Sequence, residues 1–160
     1  MRPYAGLAGR IDKMAAMLDG DIGAKPGDRI AWLGFNHPDL LVLLFAAARL
    51  GVIIVPLNWR LAAPEHAFIL NNAGVRAVIA HRQFLEPLAG EALPSGCRRV
   101  VVDGPCEGAE TLDALVTAAG TAPAAVGRSE DPLLLVYTAG TTGRPKGAVL
   151  TQDAIAWNAI

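Results

Sequence analysis

Residues 29–57, RIAWLGFNHPDLLVLLFAAARLGVIIVPL, read as strand, helix and strand in immediate succession. Ile30 to Leu33 form a short apolar run that stops at Gly34, and Asn36, His37 and Pro38 mark a helix start with proline near its first turn. The apolar Leu40 to Leu50 fill that helix and Gly51 closes it. A helix apolar all round belongs inside a larger body, so the stripe Leu41, Leu44, Phe45 and Ala48 is assigned to the core and not to a lipid site. Val52, Ile53, Ile54 and Val55 then have the β-branched character of a central parallel strand.

The same alternation continues on both sides. Upstream, Leu7, Ile11, Met14 and Leu18 recur at spacings of four and three, the stripe of a helix that packs one face on a sheet, and Lys25 to Asp28 make a turn. Downstream, the pattern predicts a helix over Pro64–Asn72, a strand over Ala77–Ala80, a short helix near Phe84–Leu88 and a strand over Val100–Val102. Leu112, Leu115, Val116 and Ala119 mark a further helix. Gly120 to Pro132 is an exposed loop that delivers the chain into a buried strand, Leu133 to Tyr137. The fold class is therefore α/β, a mainly parallel sheet flanked by helices and joined by right-handed crossovers.

Length and composition narrow the function. A chain of 160 residues with 52% apolar content can form one domain with a sizeable core, burying roughly 70% of its unfolded surface. Fourteen basic against fifteen acidic side chains leave a formal charge of −1, so no global field draws nucleic acid or an anionic membrane, and any anion must be held by local geometry. Cys97 and Cys106 have no histidine at metal-ligand spacing, which gives zinc no support and leaves two reduced thiols as the reading. Arg49, Gly51 and Pro56 interrupt the most apolar stretch, and Met1 to Gly9 lack the basic and apolar segments of a signal peptide. A cytoplasmic location is the resulting expectation.

The chemistry is concentrated in Tyr137-Thr138-Ala139-Gly140-Thr141-Thr142-Gly143-Arg144-Pro145-Lys146-Gly147. Its glycines permit close approach of the backbone to a ligand, successive amides can converge on an anion, the threonine hydroxyls add donors, and Lys146 adds a compact positive charge. Phosphate is the natural guest. The lysine lies between proline and glycine, which excludes the Walker loop, and no Gly-x-Gly-x-x-Gly turn for a dinucleotide is present. A plain hairpin loop between Tyr137 and Val149 is set aside, because it would not require three threonines and a lysine beside its glycines.

This segment resembles the phosphate-binding signature of the adenylate-forming, or AMP-binding, enzymes, which include acyl-CoA synthetases, luciferases and peptide-synthetase adenylation domains. The family pattern Tyr/Phe-Thr-Ser-Gly-Thr-Thr-Gly-x-Pro-Lys-Gly is matched at all but one position. Pro26-Gly27-Asp28-Arg29, Asn36 with Pro38, Val55-Pro56-Leu57-Asn58, Arg60-Leu61 and Pro64-Glu65 are similar to the family's upstream landmarks, so the resemblance covers nearly the whole chain. It implies that residues 1–160 are part of the large amino-terminal domain of such an enzyme. It also implies that Thr138, Gly140, Thr141, Thr142, Gly143 and Lys146, with Ala139 and Gly147 beside them, wrap the β and γ phosphates of ATP. The implied reaction is activation of a carboxylic acid to an acyl-adenylate and transfer of the acyl group to coenzyme A, with Mg2+ as a further cofactor. Fatty, aryl and short acids all stay open.

Two residues depart from the pattern. Ala139 replaces the usual serine, and if that hydroxyl meets a phosphate its loss costs about 1.5 to 3 kcal/mol. Gln152 stands where many relatives have histidine, next to Thr151, a good cap for a closing helix. The resemblance places the adenine contacts, a glutamate for magnesium, and the carboxy-terminal domain with its adenylation lysine beyond Ile160, which assigns no catalytic side chain or metal ligand to this stretch outside the phosphate loop. An isolated piece is therefore expected to be inactive. The alternative is a non-catalytic nucleotide-binding or interaction module, and exposed apolar surface would favour self-association as a homo-oligomer. His37, His66 and His81 are scattered over separate connections, with helix-start or surface roles expected; Trp59 and Arg60 are read as packing residues, and Trp157 as core.

Overall fold

The computed structural model describes residues 4–138 and 145–158. Helix α1 (Tyr4–Asp19) leads into strand β1 (Arg29–Leu33), helix α2 (Pro38–Leu50), β2 (Ile53–Leu57), α3 (Ala63–Ala73) and β3 (Ala77–Ala80). There follow α4 (Arg82–Leu85), a 3-10 turn (Glu86–Gly90), β4 (Arg98–Val101), β5 (Glu110–Thr111) and α5 (Leu112–Ala118). The chain ends in β6 (Pro132–Thr138), β7 (Lys146–Thr151) and α6 (Gln152–Trp157).

The strands form one seven-stranded sheet in the order β5-β4-β3-β1-β2-β6-β7. Five neighbouring pairs are parallel and the last, β6 with β7, is antiparallel. Side chains alternate between the two faces, as strand geometry requires. Ile30, Trp32, Ile54, Ala77, Ile79 and Val100 join a core with α1, α2 and α5. Ala31, Leu33, Val55, Val78, Ala80 and Val101 join a second core beneath α3 and Leu85 of α4. A parallel sheet needs both faces covered, and here it has both.

Local sequence explains the punctuation. The Nδ1 of His37 caps α2 by accepting from the Asp39 amide at 3.2 Å, and Pro38 follows it in the first turn. At the other end Gly51 adopts φ 64°, ψ 26°, the left-handed conformation that glycine takes without steric cost, and so the chain turns from α2 straight into β2. The Pro26-Gly27-Asp28-Arg29 landmark acts in the same place: the Gly27 amide donates to the Gly51 carbonyl at 2.7 Å, and Asp28 accepts from the Lys25 amide and the Arg76 side chain.

Three assignments made from the sequence change. On α2 it is Val42, Leu43, Ala46, Ala47 and Leu50 that are buried, whereas Leu41 and Phe45 are 48% and 49% exposed. Between Leu40 and Ala48 no polar residue marks which side faces inward, and the sheet decides. Trp157 is 76% exposed on α6, none of whose residues is buried. In β6 only Leu133 is fully buried; Leu134 to Tyr137 are half-buried because β7, their last neighbour, lies at the open edge of the sheet.

Candidate functional site

The sequence-predicted phosphate loop is carried by an antiparallel hairpin at the sheet's open edge. Pairing runs Leu134 with Leu150, Leu135 with Val149, Val136 with Ala148, Tyr137 with Gly147 and Thr138 with Lys146. The hairpin reading set aside from the sequence is thus correct as geometry: Lys146-Gly147-Ala148-Val149-Leu150-Thr151 is a strand, and the loop joins β6 to it. Alternation forced by the opposing strand, and not the residues' own polarity, makes β7 extended. An irregularity between Pro132 and Leu134 leaves Leu133 as an extra residue, which explains why Leu133 and Leu134 both serve the same core.

Of the candidate nucleotide contacts, Thr138, Lys146 and Gly147 are described, and Ala139, Gly140, Thr141, Thr142 and Gly143 lie outside the described residues. Register brings Thr138 and Lys146 face to face across the mouth of the loop. Both are exposed, and Lys146 makes no ion pair with a described residue. The mouth sits at the carboxyl end of β6, the side of a parallel strand where α/β proteins place their ligands. Chemically its described part offers a hydroxyl and an ammonium that makes no ion pair among the described residues.

Gly147 is required by its neighbours. A Cβ there would stand 2.8 Å from the Leu135 Cδ1 and 3.4 Å from the Tyr137 Cζ. The Tyr137 ring therefore lies across the backbone of β7, and its hydroxyl donates to the Asn72 Oδ1 of α3 at 2.6 Å. Burial pushes the Tyr137 phenol above its ordinary value, while the nearby Arg29 pulls the other way. Nothing in the sequence pointed to Asn72. Below the hairpin, Thr151 caps α6 by accepting from the Ala154 amide at 3.2 Å, as expected, and the Gln152 Nε2 donates to the Ala48 carbonyl at 2.9 Å.

The histidines are less scattered than the sequence suggests. His66 is buried in α3, with its Nε2 donating to the Asn58 carbonyl at 2.9 Å. His37 and His81, at the carboxyl ends of β1 and β3, bring their rings to 5.7 Å and both meet Trp32, at 6.2 and 6.0 Å. Phe35 joins this group, in contact with His81, Trp59 and Phe84, and the Arg60 guanidinium lies 4.4 Å over the Trp59 ring. Cys97 and Cys106 are free thiols, and burial pushes Cys97 up to about 11. Among the described residues no group of three or more His, Cys, Asp or Glu side chains is placed to hold a metal ion. No helix among them is long and apolar enough to cross a membrane.

The profile of the family described as AMP-binding enzyme matches residues 3–160. An indoleacetate–CoA ligase of Aromatoleum aromaticum is 40% identical over 98% of this chain, which spans 31% of that relative's length. The long-chain-fatty-acid–CoA ligase FadD13 of Mycobacterium tuberculosis is 36% identical over 95% of the chain and 30% of its own length. Among solved structures, a benzoate CoA ligase from Burkholderia xenovorans LB400 superposes with a TM-score of 0.85 at 26% identity, covering 99% of this chain and 31% of that one.

Proposed function

Because this chain belongs to the AMP-binding enzyme family, we propose that it supplies the phosphate-holding part of an ATP-dependent acid–CoA ligase. In the proposed reaction a carboxylate oxygen of the acid bonds to the α phosphorus of ATP as the bond to the β-phosphate oxygen breaks. Pyrophosphate leaves. The thiol of coenzyme A then attacks the acyl carbonyl and AMP departs with the electron pair.

The observation that carries this reading is the pairing of Thr138 with Lys146 across the mouth of a loop of glycines and threonines. Charge accumulates on the β and γ phosphates as pyrophosphate separates. An ammonium and a hydroxyl held at the loop's base would offset that charge. Magnesium, when bound with ATP, would add further charge neutralisation; the work assigned to this chain is that of its own donors. Relatives acting on indoleacetate and on long-chain fatty acids match at similar identity, which leaves the acid as a carboxylate of unspecified tail.

Acid-dependent exchange of pyrophosphate into ATP tests the proposal in the complete enzyme. Lys146→Ala is expected to slow exchange roughly 100-fold, the scale for removing one preorganised donor. Unchanged turnover in Lys146→Ala would sink the assignment. Residues 1–160 alone span 31% of the indoleacetate ligase's length, and we expect negligible exchange from them, since positioning of the acid and adenine needs more of the enzyme. Robust exchange from those residues alone would overturn that division of labour.

A further inference from the structure

We propose that Tyr137 and Asn72 form a clamp that sets the position of the phosphate-binding hairpin, a positioning role that rests on the function proposed above for residues 138–147. The hairpin needs such a tie. It joins the parallel sheet through β6, whose pairing with β2 sets Ile54 against Leu134. Backbone amides alternate in direction along a strand, so Pro56 lies on the same side as Ile54, and proline has no N–H to offer. Opposite Val136 the ladder that holds β6 to β2 therefore lacks one donor, and among the described strands β7 pairs only with β6.

Tyr137 spans that interruption. Its ring covers Gly147 on the opposing strand, where the missing Cβ leaves the space, and an aromatic side chain across a strand glycine protects and stiffens such a pair. Its hydroxyl then reaches Asn72, 65 residues away in the chain. The acceptor is itself anchored: Arg29 donates from Nε to the Ala73 carbonyl at 2.6 Å and from Nη2 to the Gly74 carbonyl at 2.9 Å, a cation fixed at the end of α3. Next to it the Asn71 Nδ2 donates to the carbonyls of Ala67 and Ala92. A phenol with an ordinary value of 10.0 keeps its proton at neutral pH, and burial here pushes Tyr137 further up, so the donor stays in place. Thr138 follows Tyr137 directly and Lys146 precedes Gly147, so a shift at this pair moves both residues at the mouth. Displacements of about 1 Å are enough to degrade a phosphate site.

The test uses Tyr137→Phe and Asn72→Leu, singly and together, in the complete enzyme. Each single change is expected to raise the KM for ATP roughly 3- to 10-fold, the scale of one net hydrogen bond, with the KM for the acid unchanged. The double variant should be no worse than either single one, because both remove the same bond. Asn72→Asp, which keeps an acceptor oxygen, should restore the KM to within about twofold of the parent. Independently of catalysis, amide hydrogen exchange in peptides covering residues 145–151 should quicken in Tyr137→Phe and Asn72→Leu and not in Asn72→Asp. Additive effects of the two changes, or an unaltered KM with unaltered exchange, would overturn the clamp. If the parent enzyme performs no acid-dependent pyrophosphate exchange, the proposed function fails while the hydrogen-exchange measurement still decides the clamp. If Lys146→Ala is damaged and Tyr137→Phe is not, in either measurement, the clamp alone fails.

Discussion

In β1 and β3 every residue from Ile30 to Leu33 and from Ala77 to Ala80 is buried; in β7 every residue from Lys146 to Leu150 is exposed, with Val149 at 57%. The two regions belong to one sheet and answer to different demands. Strands in its middle are covered on both faces and repay the entropy of ordering them through apolar burial, about 1.5 to 3 kcal/mol for each large side chain. The terminal hairpin has one paired neighbour and few buried atoms. Such segments open at lower cost than a core. If the division is real, substitutions in the two halves must differ by several kilocalories.

The largest effect is expected at Trp32, which is 2% exposed, packs against His37 and His81 and donates from Nε1 to the Phe35 carbonyl at 3.4 Å. Trp32→Ala should cost about 3 to 5 kcal/mol of stability through lost burial and the cavity left behind, measured by urea unfolding monitored by circular dichroism. A loss below about 1.5 kcal/mol would erase the contrast between the halves, since the parallel strands would then be no better packed than the edge.

That contrast also governs what the sequence discloses. The strand over Ala77–Ala80 and the closure of α2 at Gly51 were legible because glycine, proline and a change of hydrophobic period mark them locally. Face selection on α2 was not, since Leu40 to Ala48 carry no polar side chain to label the outside. Trp157 misled for a related reason: α6, six residues long, is too short to show a period, and an aromatic without one reads as core. The hairpin that carries residues 138–147 was not legible as geometry. Its strand partner is set by pairing, Tyr137 meets Asn72 across 65 residues, and His37 meets His81 only because β1 and β3 are neighbours in the sheet.

A smaller effect than that at Trp32 follows from His81, and its sign separates the halves by pH. Burial pushes the His81 imidazole below its ordinary value of 6.5; the Asp103 carboxylate draws it up, and His37 adds a further downward pull. The folded protein therefore binds this proton less readily than the unfolded chain. The contribution is fully present above about pH 6.5 and is lost as pH falls toward the lower folded value. Tyr137 in the hairpin has the opposite sense: its phenol is raised from 10.0, so its contribution holds below that value and is lost on the alkaline side. Unfolding midpoints in urea at pH 7.5, 6.0 and 5.0 should decline, and His81→Asn should flatten that decline. A midpoint that rises on acidification, or a slope unchanged by the substitution, would place the titrating group elsewhere.

The smallest expected effect is at Trp157, where the hairpin half can be shown to stand outside the core. Its helix is held by its start: the Thr151 cap, the Gln152 and Asp153 amides donating to the Asp131 and Ser129 carbonyls, and the Gln152 side chain on Ala48. None of these bonds involves the indole. Trp157→Ser should therefore change stability by no more than about 0.5 kcal/mol, the range for a surface site away from special features. The same variant should remove a red-shifted, quencher-accessible component of the tryptophan fluorescence and leave the blue-shifted signal of Trp32 intact. A loss of 1.5 kcal/mol or more, with the missing component blue-shifted, would mean that the indole is packed in solution. The hairpin would then share the core, and the contrast between the two halves of the sheet would fail.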